Sequence, residues 1–336
     1  MSRPGPPALP TFALLASLAC QGPAPPAPAP APPAATSEPA PAPAPASAAA
    51  SGDAPAAAPP SAPALPAELP TDLDVARLEP LATCSKRACA LPRPPPRGAQ
   101  PEPSSPAAIW RQRLEGREAK LTVPASREGS LFGLVLAGRV SARAGNDAPA
   151  ALEAWDAFHS DRGGLTLACD GDEATLLLVQ IARPASPAAN APRTGPAFEV
   201  QRLREQGDLV WGRGAFRARP AFEGPARAAS FGLLRGAPSA PVALHKHEGS
   251  WEILIALRAE GTFRLDTGSG QGTPRPLQDG RALAIPPEAP HAWEPAGTRP
   301  LIGVQLYVPP GPEQRFHKLA DDEAAKGSPR PPEPTK

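Results

Sequence analysis

The sequence predicts an all-β protein, a sandwich or barrel of short strands, behind a long segment that builds no core. Three observations carry this reading. Between Ile109 and Leu306, apolar runs of strand length (Leu131–Ala137, Glu173–Ala182, Trp251–Leu257) are divided by clusters of Gly, Pro, Asp and Asn. Helical periodicity is scarce, the best stretch being the short one around Ala150–Phe158. The first hundred residues are dominated by Pro and Ala, in runs such as Pro23 to Ala34 that offer no side chains large enough to bury. Such a segment cannot offset its ordering entropy and is expected to stay extended.

These features divide the 336 residues as follows. An export signal is expected over 1–19, a Pro/Ala linker over 20–72, an ordered lead-in over 73–104, β domains over 105–225 and 226–318, and an unstructured tail over 319–336. The formal charge of +1 gives no electrostatic reason to expect nucleic acid as a partner. In the signal, Arg3 precedes an apolar stretch, Phe12–Ala19, too short to span a bilayer. Leu18-Ala19-Cys20 resembles the end of a bacterial lipoprotein signal, although Ser17 and Pro10 depart from that pattern. The resemblance implies a lipid on Cys20, a membrane anchor, and a place in the outer membrane or periplasm. Some fifty residues of polyproline-like chain at about 3.1 Å each would then hold the folded part on the order of 150 Å from the anchor.

Cys84 and Cys89 stand close together where ordered sequence resumes. A disulfide closing this loop suits an oxidising compartment. Zinc binding is the competing reading, with no second Cys or His pair nearby. Cys169 reads as a small buried hydrophobe.

A weak internal repeat lays Ser130–Arg143 over Ser250–Phe263 and Leu178–Ile181 over Gly303–Leu306, as expected of a duplicated domain. The two copies differ in chemistry. Where the second has His245, His247 and Glu252, the first has Pro124, Ser126 and Leu131. Its own histidine, His159, reads as a surface or turn residue, and so does His317 beyond the last strand.

The second copy is where the chemistry concentrates. Residues i and i+2 of a strand share a face, so His245 and His247 can point inward while Lys246 points out. Glu248-Gly-Ser then turns the chain into a strand beginning at Glu252, and Pro286 to Pro290 bend it to deliver His291. Three neutral imidazoles and one carboxylate suit a first-row divalent metal (Fe, Mn, Ni, Zn or Cu) and leave one or two positions for water or substrate. Trp251, Phe263 and Trp293 flank these ligands as candidate pocket walls. Glu288, near the mouth, is the candidate general acid or base.

From about Ser230 to Pro310 these residues resemble the cupin superfamily. His245, His247 and Glu252 fill the ligand places of its first motif, with Ala259 where Gly is commonest and Gly261 close behind. Gly280, Pro286 and His291 match its second motif, in which Glu288 and Pro295 replace the usual Gly and Asn. The resemblance implies a double-stranded β-helix (jelly-roll) barrel, and the repeat extends it to two tandem copies, the first degenerate. It also implies a metal, a small polar ligand or substrate, and frequent pairing into homodimers. Oxygenase or isomerase activity is one expectation. The alternative is a non-catalytic binding, sensory or structural protein of the envelope, because a fold does not settle a function.

Overall fold

The computed structural model describes residues 66–71, 73–74, 82–85, 88–90, 105–124, 129–161, 164–182, 198–266 and 272–327. The expected export signal, the expected lipid site at Cys20 and the linker up to residue 65 lie outside the described residues, as does the tail beyond 327. The first nine strands form one curved sheet. They are β1 (Ala82–Ser85), β2 (Ala88–Ala90), β3 (Ala107–Glu115), β4 (Lys120–Val123), β5 (Gly129–Ala144), β6 (Ala150–Glu153), β7 (Asp156–Ser160), β8 (Leu165–Ala182) and β9 (Phe198–Arg202). Long antiparallel β5 and β8 are its spine, and their register shifts near Ala137 and Arg139 bend the sheet around its own core. Gly138 sits in this bend at φ +74°, and a Cβ there would collide with the carbonyl of Glu173.

Ten further strands make two facing sheets. They are β10 (Leu209–Trp211), β11 (Phe216–Phe222), β12 (Ser230–Gly236), β13 (Val242–His245), β14 (Trp251–Arg258), β15 (Glu260–Leu265), β16 (Thr273–Gln278), β17 (Ala282–Ile285), β18 (His291–Pro295) and β19 (Leu301–Val308). One sheet has the order β10-β11-β12-β19-β14-β17 and the other β13-β18-β15-β16. The sheets thus part between Arg202 and Leu209, upstream of the expected boundary at 225/226, because β11 pairs with β12.

Three apolar layers result. Leu114, Leu121, Val140, Leu152 and Leu167 fill the first domain, while Leu254, Ala256, Phe263, Leu283 and Trp293 fill the second. Between the domains, Phe132, Leu134, Leu177 and Val179 pack with Phe231, Ile253, Ile255, Val304 and Leu306. Strand alternation sorts them: Leu131 and Leu176 face the first core, while Phe132 and Leu177 face the shared layer.

Four expectations change. Residues 150–158 form no helix. β6 and β7 follow one another along the same edge of β5, joined by a turn that places Trp155 at φ +72°, with the Asp156 carboxylate accepting from the Glu153 amide at 2.9 Å. That arrangement satisfies the turn locally and leaves both strands free to pair. His159 is no surface residue: it is buried on β7, tilted against Phe132 at 4.6 Å, with Asp161 at 3.1 Å and Arg227 at 3.2 Å. The tail expected to be unstructured from 319 is helical, since α1 (Gln314–Gly327) docks Phe316 onto Tyr307 and Trp211. Finally, ordered chain begins before Leu73. Arg219 and Arg235, both bonded to the buried Asp208, donate to the carbonyls of Pro66, Ala67 and Glu68. The Cys84–Cys89 disulfide is present, which removes the zinc alternative for this pair.

The shared layer predicts one cooperative unfolding transition for both domains in urea. Phe132→Ala empties a fully buried ring site stacked on Phe231 and should lower stability by about 3–5 kcal/mol. Two separate transitions in the wild-type protein would contradict this.

Candidate metal centre

Four side chains meet at one end of the second domain. His245 closes β13 and lies opposite His291, the first residue of β18. Glu252, on β14, lies opposite Ile285 on one side and Tyr307 on the other. His247 follows β13 in a turn held by the Glu288 amide, which donates to the His247 carbonyl at 2.9 Å. One ligand atom from each of His245, His247, Glu252 and His291 lies within 4.8 Å of the other three.

Hydrogen bonds orient the rings. Nδ1 of His245 lies 2.8 Å from the Ala243 carbonyl and Nδ1 of His291 lies 2.9 Å from that of Ala289. A carbonyl can only accept, so both Nδ1 atoms carry a proton and Nε2 is the nitrogen each ring can present to a metal. Oε2 of Glu252 stands 2.7 Å from Nε2 of His247 and 3.0 Å from Nε2 of His291. Nε2 of His245 is buried without a hydrogen-bond partner among the described residues. Three Nε2 atoms thus converge with a buried carboxylate, and the one on His245 is left unsatisfied, which is costly unless a cation joins the group. The residues fit a divalent metal.

Burial, and after it the charge of His291, bring His245 down to about 4, so this ring is neutral at ordinary pH and ready to ligate. Burial alone would raise the Glu252 carboxyl, but hydrogen bonds from His247 and His291 hold it well below the usual carboxylate range. Gln305 donates to the other carboxylate oxygen at 2.5 Å. Tyr307 meets His247 edge-on at 5.0 Å, and Phe263 stacks on His291 at 5.8 Å. Burial pushes the Tyr307 hydroxyl well up, so it stays protonated.

A cavity of about 290 Å³ opens on His245, Glu252 and His291. Its walls include Phe263 and Trp293, together with Trp211, Phe216 and Phe316. Gly261 seats the indole of Trp293, whose ring a Cβ there would strike. Trp251 is absent from these walls. It neighbours the inward-facing Glu252 on β14, so alternation turns it to the opposite face, against the layer between the domains. Glu288 does not line the cavity either: it is exposed at φ +64° and ion-paired with Lys246 at 2.6 Å, which directs its carboxylate to solvent.

Sequence reasoning missed Gln305, Tyr307 and Arg315. Gln305 lay within the repeated Gly303–Leu306 segment and Tyr307 is the single tyrosine of the chain, so both left a trace. Arg315 lies within the expected second domain but on α1, a helix that no periodicity in the sequence announces. Its guanidinium donates to the Tyr307 hydroxyl at 3.2 Å.

No protein-family model matches this sequence, and no curated protein does. Solved structures do match. An oxalate decarboxylase studied for its substrate binding mode and a reaction specificity switch is 14% identical, with a TM-score of 0.50 over 62% of this chain and 70% of its own. Bacillus subtilis oxalate decarboxylase, studied for its Mn(II) centres, is 14% identical, with a TM-score of 0.51 over the same shares. At this identity the likeness shows the fold, a cupin jelly roll, and the His/Glu group occurs within it.

The metal-free protein has a predictable acid response. The folded His245 titrates near 4, below its ordinary 6.5, so the unfolded chain binds more protons between those values and stability falls as pH drops from 6.5 to 4. Glu252 acts in the same direction at lower pH, its stabilising contribution being lost as pH falls through its depressed folded value. Urea midpoints of EDTA-treated protein should decline across this window, and His245→Gln should flatten the decline between 6.5 and 4.

Proposed function

We propose that this chain is a metal-dependent small-molecule-binding protein in which His245, His247, Glu252 and His291 hold one divalent transition metal. The partnerless, buried Nε2 of His245 facing the Glu252 carboxylate group is the observation that carries the reading. Mn(II) is the first metal to test, given the Mn(II) centres of the B. subtilis oxalate decarboxylase and a donor set of imidazole and carboxylate without thiolate. When bound, such a metal supplies a Lewis acid or redox centre with coordination positions open towards the cavity. The chain's own residues do the rest. The Ala243 and Ala289 carbonyls fix the imidazole tautomers, Gln305 holds the carboxylate, and the aromatic walls keep water from the ligand's face.

Among the described residues, no carboxylate or imidazole beyond the four ligands lines the cavity. This favours metal-centred chemistry, of oxygenase or isomerase type, or plain binding, over general acid–base catalysis. The same reading places the protein outside the cytoplasm, anchored through Cys20. Its supports are the apolar Phe12–Ala19 stretch before that residue and the Cys84–Cys89 disulfide, which suits an oxidising compartment.

Elemental analysis of the untagged full chain should find about one equivalent of metal, absent from the His245→Ala/His291→Ala double variant. Gln305→Leu should retain the fold and weaken metal affinity by about 10–100-fold. A folded wild-type protein that takes up no metal after reconstitution would end the proposal. Cys20→Ser should move the protein from the membrane fraction to the soluble one.

A further inference from the structure

We infer that the ligand of this site is a small apolar organic acid, an aryl or branched-alkyl carboxylate, with its acid group between the metal and Arg315 and its apolar body among the aromatic walls. The inference rests on the proposed metal site and names its ligand class. It departs from the small polar ligand that the sequence resemblance implies.

Four features of the cavity agree. Its walls are apolar: Trp211, Phe216, Leu234, Leu254, Phe263 and Trp293 surround the space beside His245 and His291. Among the described residues, the two large hydrophobic side chains left exposed, Leu244 at 69% and Leu319 at 38%, both border this same cavity. Single exposed leucines are ordinary, but two at the rim of one apolar cavity extend the surface that a ligand's body would cover. Charge is the third feature. Arg315 borders the cavity, and among the described residues its one hydrogen bond is to the Tyr307 hydroxyl and no carboxylate pairs with it. A divalent ion offset by Glu252 alone also stays positive, so an anion is favoured between ion and guanidinium.

Size is the fourth. About 290 Å³ is at the lower edge of the roughly 300–1,000 Å³ typical of small-molecule sites, which admits one ring or a short branched chain and not a long acyl chain. Oxalate, which could chelate the ion through both carboxylates, has no apolar body to cover the indole and phenyl walls and forgoes the stabilisation that their burial gives.

The test uses the full chain loaded with Mn(II), with metal content measured on the same sample. Titration calorimetry and the fluorescence of the lining Trp211 and Trp293 report binding of 3-phenylpropionate, 3-phenylpropanol and oxalate. The acid should bind at least about tenfold more tightly than the alcohol or oxalate. Arg315→Gln should weaken the acid by about tenfold or more and the alcohol by less than about twofold. Leu319→Glu, an exposed change that leaves the core intact, should also weaken the acid. Oxalate or the alcohol binding as tightly as 3-phenylpropionate, or no binding of 3-phenylpropionate to metal-loaded protein, overturns the ligand class while the metal site stands. Arg315-dependent binding of 3-phenylpropionate to a protein that takes up no metal would do the reverse.

Discussion

Strands β14 and β19 touch water on neither face, and this double burial fixes the remainder of the structure. Along β14, Ile253, Ile255 and Leu257 face the layer between the domains, while Glu252, Leu254 and Ala256 face the interior of the second domain. Along β19, Ile302, Val304 and Leu306 take the first side and Leu301, Gln305 and Tyr307 the second. Because side chains alternate with a period of two, slipping β14 by one residue would turn Glu252 into the apolar layer, and slipping β19 would do the same to Gln305. Burying either polar group there without its partners costs more than a shifted pairing would gain. Register, layer and ligand set are therefore one constraint.

That constraint explains how the two domains share the work. The first is filled with Leu, Val and Ala and, among the described residues, holds no metal-binding group. Its contribution is a surface: Phe132, Leu134, Leu177 and Val179 back the very strands that carry Glu252 and Gln305. Glu252 and Gln305 thus stand on rigid, doubly packed strands, while the facing sheet brings His245, on β13, and His291, on β18, with His247 from the turn after β13, to within 4.8 Å of that carboxylate.

Much of this was legible in the sequence, and the reasons for the gaps are physical. The ligands could be read because strand alternation and turn residues (Gly280, Pro286) place them locally. Trp251 was misplaced because proximity in sequence to Glu252 outweighed the alternation that separates them. His159 could not be read, since Arg227 and the Phe222 ring beside it come from more than sixty residues away. Helix α1 has few apolar anchors, Phe316 and Leu319 among Ala, Asp, Glu and Lys, and is followed by prolines. Its order comes from docking on Tyr307 and Trp211, a tertiary effect that local propensity does not carry.

The grip of Arg219 and Arg235 on residues 66–68 also has a mechanical meaning. Those arginines sit on β11 and β12, in the second domain, whereas the chain leaving residue 68 goes next into the first. A pull applied upstream of residue 66 is therefore taken up by charge-assisted bonds around Asp208 before it can reach β1. The first domain, although nearer in sequence to the pull, is shielded from it. The load enters a sheet whose inner strands, β19 and β14, are clamped on both faces.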